Sequence, residues 1–142
     1  MLIIHPIIQI CATLLASYVL FIGVQRFRML HLKQKTRFNW KRLVLLGTIA
    51  LLTLLGGMVG GMSMAYHNWR GFMVTGIHGK TALIILPLLV FGLFSGLFMN
   101  SRKKRRKVLP LIHGTSNLIL LLLAVYQIYT GWWVYNTFVL GN

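Results

Sequence analysis

The sequence predicts an all-α integral membrane protein, an antiparallel up-down bundle of four helices. Three observations carry that prediction. The chain is 57% apolar over 142 residues and has no Asp or Glu at all. Four apolar stretches are each long enough to cross a hydrocarbon core of roughly 30 Å. The cations are also unevenly divided. Seven (Arg26, Arg28, Lys33, Lys35, Arg37, Lys41, Arg42) lie between the first two stretches, and six (Arg102 to Lys107) between the last two. Only Arg70 and Lys80 fall on the other side, as the positive-inside rule requires of a multi-pass protein with both termini outside the cytoplasm.

The helices are expected at about 3–25, 41–65, 73–100 and 108–139, in a single transmembrane domain with no soluble domain beside it. The first lacks a basic n-region and a small-residue cleavage site, so it reads as a retained helix. Pro6 falls in its first turn, where a missing N–H costs little. The second carries Gly56/Gly60 and Gly57/Gly61, small-x-x-x-small pairs that permit close approach by a helix or a flat ligand. The third contains Pro87, an expected kink, and the fourth ends in Trp132, Trp133 and Tyr135. Short connections favour neighbouring antiparallel helices.

Composition excludes several chemistries. Without carboxylates there is no acid/base carboxylate pair, no carboxylate metal cage and no carboxylate proton relay. The one cysteine, Cys11, permits neither a disulfide framework nor a zinc motif, and no C-x-x-C-H exists for covalent haem. The charge of +15 follows from topology and from attraction to anionic membrane lipid, so nucleic acid is not an expected partner.

The informative residues are histidines. Imidazole inside a membrane is costly unless paired, which makes such a residue a functional candidate. Positions three and four apart share a helix face. His5 heads a stripe of Gln9, Ala12, Ala16, Val19 and Gly23; His78 heads Ala82, Ile85, Leu89, Gly92 and Gly96. His113 heads Asn117, Leu120, Ala124, Gln127 and Gly131. Stripes this rich in small and polar residues are expected to face the bundle interior. Helices one and three run parallel and diagonal in an up-down bundle, which opposes His5 and His78 at similar depth. Two opposed imidazoles suit the axial positions of a b-type haem. Gly76 and Gly79 would admit the macrocycle close to the backbone, and Arg70 and Lys80 would pair with its propionates. His113 should face Leu43, whose stripe of Gly47, Ala50, Leu54, Gly57 and Gly61 is small but lacks a histidine. A second, cytoplasmic-side site is therefore missing one ligand. His31, in the basic loop, could complete it by folding inward; His67 is an interfacial polar residue and the reserve partner for His78. Met58, Met62 and Met64 read as apolar filler rather than ligands. The plain alternative for each histidine is an interfacial or hydrogen-bonded packing group.

The His-Pro at the start of helix one, the G-x-H-G opening helix three and the His-Gly opening helix four resemble the cytochrome b-561 and ferric-reductase-like transmembrane superfamily. The asparagine four residues after His113 belongs to the same pattern. Nearly the whole chain is similar to the small bacterial four-helix members of that group. The resemblance implies two stacked b haems held by one histidine per helix, and electron transfer across the membrane from a quinol or ascorbate. His5, His78 and His113 match the pattern, and Leu43 stands where a fourth histidine is expected. A five-coordinate haem on His113, one completed by His31 or a partner subunit, and an empty site are all open.

The expected function is thus a b-type cytochrome subunit of a bacterial inner or internal energy-transducing membrane. It would pass electrons between a quinol pool and a partner redox protein, using one haem b near the outer face, within a larger redox complex. The alternative is an accessory transmembrane subunit whose histidines ligate (bacterio)chlorophyll or no cofactor. A transporter fits less well, because no charged residue lies mid-membrane.

Overall fold

The computed structural model describes residues 2–102, 104 and 106–141, so Lys103 and Arg105 of the second basic run lie outside the described residues. Four helices account for nearly all of it: α1 (Ile4–His31), α2 (Trp40–Trp69), α3 (Ile77–Ser101) and α4 (Val108–Tyr135). α4 runs on into one π-helical turn, Asn136–Leu140, and there is no strand among the described residues. All four are long and apolar enough to cross a membrane, so the chain is a multi-pass membrane protein.

The helix ends follow from local chemistry more than from hydropathy. α1 continues six residues beyond the expected end, through Arg26 and Arg28, because nothing there breaks a helix. Hydropathy marks where the membrane stops, while the helix stops only at Leu32 and Lys33, the latter at φ 53°. α2 begins where the Asn39 side chain accepts the Arg42 N–H at 3.0 Å, an N-cap that satisfies one orphan donor. It ends at Arg70 in the left-handed region, φ 56°. α3 starts four residues later than expected. Gly76 precedes it at φ 58°, ψ −122°, a conformation that leaves Met73 to Gly76 in turns. Pro87 sits within α3, which continues unbroken through it.

Each helix contributes to one core. Ala12 of α1, Leu54 of α2, Ile85 and Leu89 of α3, and Leu120 of α4 form a single buried cluster. The anticipated stripes all lie buried or half-buried, whereas residues between them, such as Leu14 and Phe94 (66% exposed each), point outward as lipid-facing side chains should. α1 packs against α2 and α4, and α3 against the same two helices. No Cα atom of α1 comes within 8 Å of one in α3, nor of α2 within 8 Å of one in α4, among the described residues. The close approaches are made at glycines. Gly61, Gly57 and Gly47 of α2 lie against His5, Gln9 and Val19 of α1. Gly131 of α4 lies against His78 of α3, and Gly92 and Gly96 of α3 against Asn117 and His113 of α4. Gly56 and Gly60, the other small pair, meet nothing within 4 Å.

Candidate cofactor cavity

The starts of α1 and α3 and the ends of α2 and α4 enclose a cavity of about 560 Å³. That lies within the roughly 300–1,000 Å³ range of small-molecule sites. Its floor is the core itself, with Leu54, Ile85 and Leu89, and Trp69, Trp132 and Tyr135 also line it. Both His5 and His78 line this one cavity, joined by Gln9 and Gln127. Each histidine is the second residue of its helix, after Ile4 and Ile77 respectively.

Glycines make room for both rings. A methyl group built at Gly61 would lie 2.7 Å from His5 Cε1, closer than two carbons can come. One built at Gly131 would lie 3.2 Å from His78 Cε1. Gln9 fills the space at Gly57 in the same way, and its Nε2 donates to the Leu54 carbonyl at 3.4 Å. Larger residues at these positions would force the polar side chains out of the interior.

The protons around His78 can be assigned from its partners. Thr130 Oγ1 donates to Gln127 Oε1 at 2.9 Å, with the Gln127 carbonyl at 3.3 Å. Its hydroxyl proton thus spent, Thr130 accepts from His78 Nδ1–H at 3.0 Å. Gln127 Nε2 in turn donates to the His78 carbonyl at 3.0 Å, closing the ring of bonds. His78 Nε2 then carries the lone pair and has no hydrogen-bond partner among the described residues. Nor is it a sealed, unsatisfied atom. A ring fixed at one nitrogen and open at the other is the arrangement a ligating histidine has.

His113 is built differently. Ser95 Oγ donates to the Phe91 carbonyl and therefore accepts from His113 Nδ1–H at 2.7 Å. Asn117 Nδ2 donates to His113 Nε2 at 3.2 Å, while also reaching the His113 carbonyl at 2.8 Å. Both ring nitrogens are engaged, and His113 does not line the cavity. These are the bonds of a packing histidine, with neither ring nitrogen free in this arrangement.

The remaining expected site residues divide. Gly79 lines the cavity, where a Cβ would sit 2.9 Å from Thr75 Oγ1. Arg70 and Lys80 do not line it; both are exposed, each next in sequence to a lining residue, Trp69 and Gly79. His31 stacks on Phe27 of its own helix with centroids 4.9 Å apart. The exposed His67 bonds the Ser63 carbonyl at 2.8 Å and lies outside the cavity. Met58, Met62 and Met64, read as filler, all stand on the cavity wall. Thr130 and Gln127 are the functional candidates sequence reasoning missed. Gln127 was on an inward stripe, but its bond to His78 of another helix leaves no local trace. No group of three or more His, Cys, Asp or Glu side chains comes together among the described residues, which speaks to ion cages and not to a pair of axial ligands.

No family model, curated protein or solved structure matches this chain.

Proposed function

We propose that this protein is a membrane b-type cytochrome subunit that passes electrons between a quinol pool and a partner redox protein. His5 and His78 would be the residues that hold one haem. The observation that carries the reading is the shared cavity, with the Nε2 of His78 open and its Nδ1 held by Thr130. Haem held there supplies one-electron chemistry at its iron. The chain's part is to present imidazole, to keep water out with Leu54, Ile85 and Leu89, and to hold the His78 tautomer through Thr130 and Gln127. Arg70 and Lys80, flanking the lining at Trp69 and Gly79, are the cations available to propionate groups at the rim.

The packing supports an antiparallel up-down bundle. His5, Gln9 and Val19 meet Gly61, Gly57 and Gly47 in reverse order, as His78, Gly92 and Gly96 meet Gly131, Asn117 and His113. With both basic loops cytoplasmic, the cavity opens toward the outer face of a bacterial energy-transducing membrane and both termini lie outside. The closed network at His113 favours one haem rather than two, so conduction across the full membrane would need a partner subunit.

The same network supports the second reading, an accessory transmembrane subunit, because it holds an interior histidine by hydrogen bonds at both ring nitrogens. Spectra separate the two. The reduced protein is expected to show a b-type α band that carbon monoxide leaves unchanged, since His5 and His78 would both hold the haem. A band shifted by carbon monoxide would remove His5 or His78 from the ligand set. A pigment band, or no chromophore in protein purified with its partners, would leave the accessory subunit.

A further inference from the structure

A second cleft, of about 320 Å³, lies at the opposite, basic end of the molecule. One wall is a single face of α1, with Phe21, Val24, Gln25 and Arg28 at helical spacing. The other is Thr36 and Arg37 from the α1–α2 connection, which folds back on the helix. Two bonds fasten that fold: Thr36 Oγ1 donates to the Gln25 carbonyl at 2.9 Å, and the Gln34 N–H donates to the Arg28 carbonyl at 3.2 Å. The cleft is thus apolar toward the membrane, where Phe21 is 61% exposed, and doubly cationic toward water.

Its two arginines differ from their neighbours. Arg26 stacks over Trp40 at 4.2 Å, Arg42 lies over Tyr18, and Arg102 and Arg106 lie over Phe98. Arg28 and Arg37 have no such aromatic partner among the described residues. The chain has no Asp or Glu, so no side-chain carboxylate of its own can pair with them. A guanidinium pair matches phosphate through bidentate hydrogen bonds.

We propose that this cleft is a specific site for an anionic phospholipid. Arg28 and Arg37 grip the phosphate, Gln25 and Thr36 flank it, and an acyl chain runs along Val24 and Phe21. The apolar floor selects a lipid over a soluble phosphate. The site is independent of what fills the cavity at the other end.

Protein in maltoside detergent, titrated with phosphatidylglycerol or phosphatidylcholine and read by native mass spectrometry, tests it. Phosphatidylglycerol is expected to bind at least about 10-fold more tightly than phosphatidylcholine, given about fivefold per basic residue near an anionic surface. The exposed pair Arg28→Gln/Arg37→Gln should weaken phosphatidylglycerol about 30-fold by the same measure. Lys35→Gln/Lys41→Gln, an equal charge change outside the cleft, should leave it within about twofold, because those lysines make no direct bond to the phosphate and the neutral detergent offers them no anionic surface. An equal loss in the lysine pair would overturn the site in favour of diffuse charge attraction. Equal binding of the two lipids would overturn it too, as would displacement by glycerol phosphate at matched concentration, which would make it a soluble-anion site.

Discussion

His78→Ala should yield a folded protein that retains no haem. Of the imidazoles lining the cavity, His78 is the one held by a hydrogen bond at Nδ1 with Nε2 open among the described residues. Its loss removes a ligand, while the helices keep their core of Ala12, Leu54, Ile85, Leu89 and Leu120. Thr130→Val tests the support separately. It deletes the acceptor for Nδ1–H and should weaken haem retention by about 10- to 100-fold, the usual effect of losing an outer-sphere partner. Thr130→Ser should restore most of it. His113→Ala, by contrast, should leave the spectrum of the purified protein intact and cost only stability. Interhelical hydrogen bonds in membranes are worth about 0.6 kcal/mol on average, so the cost should be modest. Haem content per chain, measured after detergent extraction and washing, reads all four. Equal loss from His78→Ala and His113→Ala would show that the packing role assigned to His113 is mistaken.

Gly61→Val should abolish haem retention as completely as His5→Ala, although it replaces no ligand. Even a single carbon at Gly61 would lie 2.7 Å from the His5 ring, and valine adds two more. Either the ring leaves the cavity or α1 and α2 separate, at an overpacking cost of about 1–3 kcal/mol. Gly60→Val, one residue away, faces open space and should behave as wild type. The pair of variants thus separates a ligand pocket from simple helix contact. If Gly61→Val kept its haem, His5 would not be holding it.

The sequence made the membrane spans and inward faces legible because both rest on short-range regularities. Hydropathy marks the spans, and a 3.6-residue period aligns His5 with Gln9 and Ala12, or His113 with Asn117 and Leu120. The same regularities put His5 and His78 on one cavity. What they could not show depends on which residues of different helices meet. Ser95 closes off His113 from the neighbouring helix, and Thr130 orients His78 across a sequence separation of 52 residues. Threonine in an apolar helix carries no mark of such a role, since it more often bonds its own backbone, as Thr53 does to Ile49. Arg70 and Lys80 were placed by charge alone, and both proved to be exposed residues that do not line the cavity. The helix ends shifted for a related reason. The positive-φ residues Lys33, Arg70 and Gly76 set them, and only the glycine announces itself in the sequence.

The most direct measurement is the ratio of haem to protein by pyridine haemochrome assay, on material purified from membranes with its partners intact. One haem per chain is expected, lost in His78→Ala and retained in His113→Ala. Two haems per chain would contradict the closed network at His113 and restore a transmembrane pair of sites. None would contradict the cytochrome itself and leave a helical accessory subunit whose histidines serve packing alone.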